Sequence, residues 1–137
     1  MDYYYKEFEK LQEEFHEVTH HYLIFSEMID EIEKKDIKEI NELLSKNDEY
    51  YLKKAIDKLK RLISYIKSTS ESIKGEYSKF DKLASTWENI KLINVDEKEL
   101  SRINSEVRKA NDLIKSHSLK DIEEANKILE RLIKENR

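Results

Sequence analysis

The pattern His-Glu-x-x-His occurs once in the chain, as His16, Glu17 and His20. On a helix this spacing places two histidines one turn apart, where both can bind zinc, and the glutamate can serve as the general base of a metallohydrolase. Such enzymes need a third protein ligand, and no suitable side chain follows at a diagnostic spacing. Val18 belongs to an apolar stripe, so we expect the motif to face solvent. We predict no enzyme and no cofactor, and keep a zinc metallohydrolase as the alternative.

The same helix face offers a weaker metal site. Glu13, His16, Glu17 and His20 fall at i, i+3, i+4 and i+7. Such a face could bind zinc or nickel adventitiously, or bridge two molecules through a metal. The Glu-x-x-His spacing also occurs in di-iron bundles, which repeat it on a second helix. No glutamate lies three residues before His117, the one histidine beyond this region, so we do not expect a di-iron site.

Four lysines recur every seven residues along one flank of a predicted helix: Lys53, Lys60, Lys67 and Lys74. A stripe of this kind could follow the phosphates of a nucleic acid. Lysines that flank an apolar stripe also pair with glutamates of a neighbouring helix, such as Glu7 and Glu14. The net charge of −4 and the presence of only five arginines disfavour nucleic acid. We predict ion pairs within the protein, with nucleic-acid binding as a second alternative.

Tyrosines are concentrated in two places, Tyr3–Tyr5 at the start of the chain and Tyr50–Tyr51 at the reversal that leads into the long helix. They cannot all face one core. We expect Tyr4 and one of the second pair to pack inward, which leaves Tyr3 or Tyr5 partly exposed. Aromatic side chains with a polar tip are favoured at protein interfaces, although they can also simply cover the ends of a bundle.

Composition predicts an all-α protein. The 137 residues include no proline, one glycine and 41% charged side chains. Most of the turn chemistry of β-hairpins is therefore missing, and the abundance of charge is typical of long solvated helices. We expect one helical-bundle domain over residues 1–137. The chain has no cysteine, so it has neither a disulfide framework nor a thiolate site.

Two apolar stripes follow the 3.5-residue repeat of packed helices. The first predicts a helix over Tyr3–Lys34, and its members are Tyr4, Phe8, Leu11, Phe15, Val18, Tyr22, Phe25, Ile29 and Ile32. The second stripe runs over Leu52–Lys91 and is apolar at all but two of its positions. It predicts a helix from about Asp48 to Leu92. Helix propensity is low over Ser68–Gly75, where a hinge is conceivable, but the unbroken register favours continuity.

A phase shift interrupts each outer part of the chain. Asp36 and Glu39 resemble a capping box that opens a short helix, Ile37–Ser45. The apolar positions of this helix lie one residue out of phase with the first stripe, which predicts a kink or a break. Asp96 and Glu99 form a second box, and the stripe that follows is interrupted at residues 116–118.

These breaks divide the chain into three legs, 3–46, 48–92 and 97–136. We predict an elongated antiparallel helical bundle in which the outer two legs are each broken once. The alternative is a compact four- or five-helix bundle, in which the last two helices fold as a hairpin over the distal end of the long helix. Short connections suit either arrangement.

Charge differs between the two parts of the chain. Residues 1–50 carry 15 acidic and 6 basic side chains, a net charge of −9, whereas residues 51–137 carry 15 acidic and 20 basic, a net charge of +5. Opposite charges suggest helices that pack side by side. The acidic part could equally meet a basic partner.

These observations favour a non-catalytic protein–protein interaction module, such as an adaptor, an inhibitor or an immunity-type protein. No nucleophile–base pair and no phosphate-binding loop is present. The predicted contact residues are Tyr3, Tyr5, Tyr50, Glu7 and Glu14. The partner is another protein or a second copy of the chain. We expect a cytoplasmic location, because no apolar run could span a membrane and the N-terminal residues lack the features of a signal peptide.

Overall fold

A computed structural model describes residues 2–137 and confirms an all-α helical bundle. The helices are α1 (Asp2–His21), α2 (Ser26–Ile32), α3 (Lys38–Ser45), α4 (Glu49–Glu88), α5 (Glu97–Ile114) and α6 (Leu119–Asn136), and a π-helical segment (Glu33–Ile37) joins α2 to α3. The chain forms two compact units, Met1–Glu71 and Ser72–Arg137. Helix α4 contributes its first part to one unit and its last part to the other.

The first unit packs three helical rods around one core: α1, the arm from α2 to α3, and the start of α4. Ion pairs between α1 and α4 show the relative direction of these two helices. Lys60 lies 2.9 Å from Glu7 and Lys67 lies 3.2 Å from Glu14, so α1 and α4 run parallel. The intervening arm runs the opposite way. The core residues are Phe8, Leu11, Val18, Ile32, Ile40, Leu52, Ala55, Ile56, Leu59, Leu62, Ile63 and Ile66.

The predicted first helix, Tyr3–Lys34, is wrong, because α1 ends at His21 and the chain reverses over residues 22–25. The apolar repeat continues through the reversal, since both α1 and α2 face the same core. Helix α2 begins without a side-chain cap at Phe25, whose backbone oxygen accepts from the amide of Met28 at 3.0 Å. The reversal contains neither glycine nor proline, so its sequence carries no turn signal.

The predicted capping box at Asp36 is also wrong, because Asp36 lies inside the π-helical segment rather than at a helix start. A π turn accommodates an extra residue. The segment therefore absorbs the one-residue phase shift between Ile32 and Ile37, and the helical backbone continues. Asp36 instead lies 3.6 Å from the ammonium of Lys58, which also bonds to Glu39.

The turn before α4 is formed by a left-handed residue and a capping side chain. Asn47 has a φ of 49°, in the left-handed region that asparagine tolerates better than most residues. Asp48 then caps α4, since its carboxylate accepts from the amide of Tyr50 at 2.8 Å. Helix α4 continues through Ser68–Gly75 without a hinge, and it ends at Glu88, four residues before the predicted end.

In the second unit, α5 and α6 form a hairpin that packs on the last part of α4, as in the alternative arrangement. Asp96 caps α5, because its side chain accepts from the amide of Glu99 at 2.8 Å. This hydrogen bond is the one that the second capping box predicted. Side chains of α4 pack against the core of this hairpin: Phe80, Leu83, Ala84 and Trp87. Asn126 of α6 bonds to Glu76 of α4, and Glu130 of α6 lies 2.6 Å from Lys79 of α4. Residue numbers rise together along the two helices, so α6 runs parallel to α4.

Candidate functional site

Three exposed tyrosines lie in the first unit, where α1 and α4 begin. Tyr3 is 73% exposed, Tyr50 is 58% exposed and Tyr5 is 37% exposed. We call these three residues the tyrosine surface. They lie at one end of the unit because α1 and α4 run parallel, so both helix starts are at the same end. Tyr4 and Tyr51 are half-buried, which matches the expected division between inward and outward rings.

Neighbouring rings and one long-range hydrogen bond hold these tyrosines. Tyr3 packs edge-on against Tyr4 with ring centroids 5.4 Å apart, and Tyr50 packs in the same way against Tyr51 at 5.2 Å. The hydroxyl of Tyr5 donates to Oδ1 of Asn47 at 3.2 Å. The surface is therefore built on two helices and on the turn before α4.

Lysine ammonium groups lie over three of the rings. Lys46 is 4.3 Å from the centroid of Tyr51, Lys54 is 4.6 Å from that of Tyr50, and Lys53 is 5.0 Å from that of Tyr4. These are cation–π contacts, which are worth about 0.5–1 kcal/mol each at exposed sites. A hydrogen bond with the Tyr50 hydroxyl raises the pKa of Lys54. The tyrosine surface is consequently bordered by positive charge, which the sequence pattern of tyrosines alone did not indicate.

The glutamates predicted at the contact, Glu7 and Glu14, lie farther along α1 and pair with Lys60 and Lys67. This is the pairing that the lysine stripe predicted. The hydrogen bond to Glu7 raises the pKa of Lys60. Phosphates that bound along this stripe would have to displace both carboxylates. A role of Glu7 or Glu14 in binding a partner stays a prediction.

The histidine motif lies near the end of α1, with His16, Glu17 and His20 all exposed. The two imidazole rings have centroids 4.2 Å apart. Nδ1 of His20 is 2.9 Å from the backbone oxygen of His16, so this nitrogen donates and Nε2 is left for other ligands. Glu13 is exposed on the same face.

Within residues 2–137, no three side chains of histidine, cysteine, aspartate or glutamate come close enough to hold a metal ion together. The third ligand that a zinc metallohydrolase needs is therefore missing from this part of the chain. His117 belongs to the turn between α5 and α6, in the other unit.

A groove that the sequence patterns did not reveal lies in the first unit beside the π-helical segment. It is lined by Phe8, Gln12, Phe15, His16, Glu33, Ile37, Ile40, Asn41 and Leu59. A second depression on α1 shares Gln12 and His16 with it and is otherwise lined by glutamates. The phase shift at residue 37 was the one sequence signal near this place.

None of the helices in residues 2–137 combines the length and the apolar character that crossing a membrane requires. Comparison of the sequence with protein-family models, with curated proteins and with solved structures finds no match.

Proposed function

We propose that this protein is a non-catalytic interaction module that binds a partner protein through the tyrosine surface. The observation that carries the proposal is the exposure of Tyr3, Tyr5 and Tyr50 at one end of the first unit. Tyrosine is enriched in the central parts of protein interfaces, because it brings a large apolar area and a hydrogen-bonding tip at a small cost in side-chain entropy.

The packing of the tyrosines supports a binding role. Tyr3 and Tyr50 each rest against a half-buried ring, and Tyr5 is bonded to Asn47. Side chains that are already held in place lose little conformational freedom when a partner binds. The lysines beside the rings also provide charge that a partner carboxylate can approach. Together these features suit a preformed contact surface.

The test is a comparison of two tyrosine variants in the native cell extract. Tyr3→Ala combined with Tyr50→Ala removes the two most exposed rings of the surface. Tyr65→Ala is the matched control, because Tyr65 belongs to the same unit and is 51% exposed but does not belong to the surface. Each protein carries a photo-crosslinker at Tyr5, and captured peptides are identified by mass spectrometry.

The proposal predicts that one partner is crosslinked to the wild type and to the Tyr65→Ala protein, and that the double variant loses it. A binding measurement with the purified partner should then show a loss of at least about 2 kcal/mol for the double variant, the scale of interface hot spots. Equal capture by all three proteins, or equal loss in both variants, would contradict it.

A further inference from the structure

The groove beside the π-helical segment has an apolar floor and a polar rim. Phe15 of α1 and Ile37 of the π-helical segment are half-buried and form part of its floor. Gln12 and Asn41, both exposed, lie on its rim with Glu33. π turns are frequent at functional sites, because the extra residue displaces the backbone locally.

The charged residues that line this groove and the depression adjoining it are acidic. Glu33 lines the groove itself, and Glu9, Glu13 and Glu17 line the depression that adjoins it on α1. Of the described residues, no lysine or arginine lines either one. His16 belongs to both.

The glutamates beside the groove differ in their ion pairing from those that face α4. Among the ion pairs of residues 2–137, none uses Glu13, Glu17 or Glu33. Glu7 and Glu14 of the same helix differ in this respect, because both pair with lysines of α4. The glutamates of α1 thus fall into a paired set that faces α4 and an unpaired set beside the groove.

We infer that this groove binds a basic amphipathic helix of a partner protein. Apolar side chains of such a helix would contact Phe15 and Ile37, and flanking lysines or arginines would meet the unpaired carboxylates. Helix-in-groove binding uses this combination of apolar anchors and complementary charge. The groove shares no residue with the tyrosine surface, so this inference stands or falls separately from the function proposed above.

The test uses a synthetic amphipathic helix of lysine and leucine, about five turns long, with a fluorescent label. Two peptides serve as controls: a glutamate–leucine helix of the same pattern, and a lysine–serine peptide of the same charge without apolar anchors. Binding to the full chain is followed by fluorescence anisotropy as the salt concentration is raised from about 50 mM to about 300 mM.

The protein variants separate the groove from general acidity. Glu13→Lys combined with Glu33→Lys reverses two charges at the groove. Glu123→Lys combined with Glu124→Lys makes the same change in net charge at exposed positions of α6, in the other unit. All four positions are exposed, so both variants should fold, and circular dichroism verifies this.

We expect the lysine–leucine peptide to bind the wild type more weakly as salt rises, and the groove variant to bind it at least about tenfold more weakly. The α6 variant and the Tyr3→Ala/Tyr50→Ala variant should stay within about twofold of the wild type. An equal loss in both charge variants, equal binding of the lysine–serine peptide, or no binding would overturn the inference. So would a wild-type dimer that the groove variant abolishes, because a second copy would then occupy the groove.

Discussion

Gly75 is the most informative single position for the continuity of α4. It lies within this 40-residue helix, where the sequence left a hinge conceivable. A Cβ atom added at Gly75 meets nothing within 4 Å, so alanine fits without displacing any neighbour. Alanine exceeds glycine in helix propensity by about 0.8–1.0 kcal/mol. We therefore predict that Gly75→Ala raises the free energy of unfolding by about 1 kcal/mol.

The corresponding change in melting temperature is small but measurable. At roughly 2.1 cal/mol/K per residue, the unfolding entropy of the 137-residue chain is about 0.29 kcal/mol/K. A gain of about 1 kcal/mol then raises Tm by about 3 °C. Urea unfolding followed by circular dichroism should give a higher midpoint with an unchanged slope.

Two further substitutions serve as controls for Gly75→Ala. Ser78→Ala, at an exposed position of the same helix, should stabilise the protein less, because serine is a better helix former than glycine. Gly75→Pro should lower the free energy of unfolding by about 3 kcal/mol or more, because proline breaks a continuous helix. Destabilisation by Gly75→Ala, or tolerance of Gly75→Pro, would refute a helix that is continuous through residue 75.

Three other predictions follow from the contacts described. Asn126→Asp should lower the free energy of unfolding by about 3 kcal/mol at neutral pH, because a buried carboxylate would replace the Nδ2 that donates to Oε2 of Glu76 at 2.6 Å. Urea unfolding at lower pH should show part of this stability regained as the introduced carboxyl is protonated. The hydrogen bond with Arg102 lowers the pKa of Glu99 in the folded protein. The stability that this bond contributes is therefore present above the ordinary pKa of glutamate and is lost as the pH falls through the lowered pKa. In the Arg102→Gln variant, NMR titration should show the pKa of Glu99 returned toward its ordinary range. His16→Ala should change stability by no more than about 0.5 kcal/mol, and metal analysis of untagged protein should give sub-stoichiometric zinc; stoichiometric zinc lost in this variant would revive the metallohydrolase.

Several features of the fold could be predicted because they depend on local chemistry. The scarcity of glycine and proline predicted an all-α chain, which the structure confirms. Asp96 with Glu99 predicted the start of α5, because a cap is a contact within one turn. Ion pairs between the lysine stripe and glutamates such as Glu7 were predicted from positions that flank two apolar stripes, and such pairs require only that the stripes face each other.

The reversal at residues 22–25 could not be predicted in the same way. An apolar repeat reports which residues face the core, and it does not report the direction in which the chain then travels. Tyr22 and Phe25 keep the register of α1, although they lie outside it. Helix α2 also begins without a capping side chain, so no local signal marked the turn.

The tyrosine surface depends on this reversal. Exposed tyrosines could be expected from the crowding of aromatic residues at Tyr3–Tyr5, and the structure divides them as expected between inward and outward rings. Sequence alone could not show that Tyr50 lies at the same end, because this requires α1 and α4 to be parallel. The positions of Lys46 and Lys54 over the rings depend on the same packing.

Zero-length carbodiimide crosslinking tests the parallel packing of α1 and α4 most directly. The reagent joins a carboxylate to an amine only when the two are in contact. The structure predicts amide links between Glu7 and Lys60 and between Glu14 and Lys67, in the monomeric fraction, since these pairs lie 2.9 and 3.2 Å apart. Links from Glu7 to lysines near the end of α4, or links found only between two copies of the chain, would show that the packing is different and that the tyrosine surface is not formed.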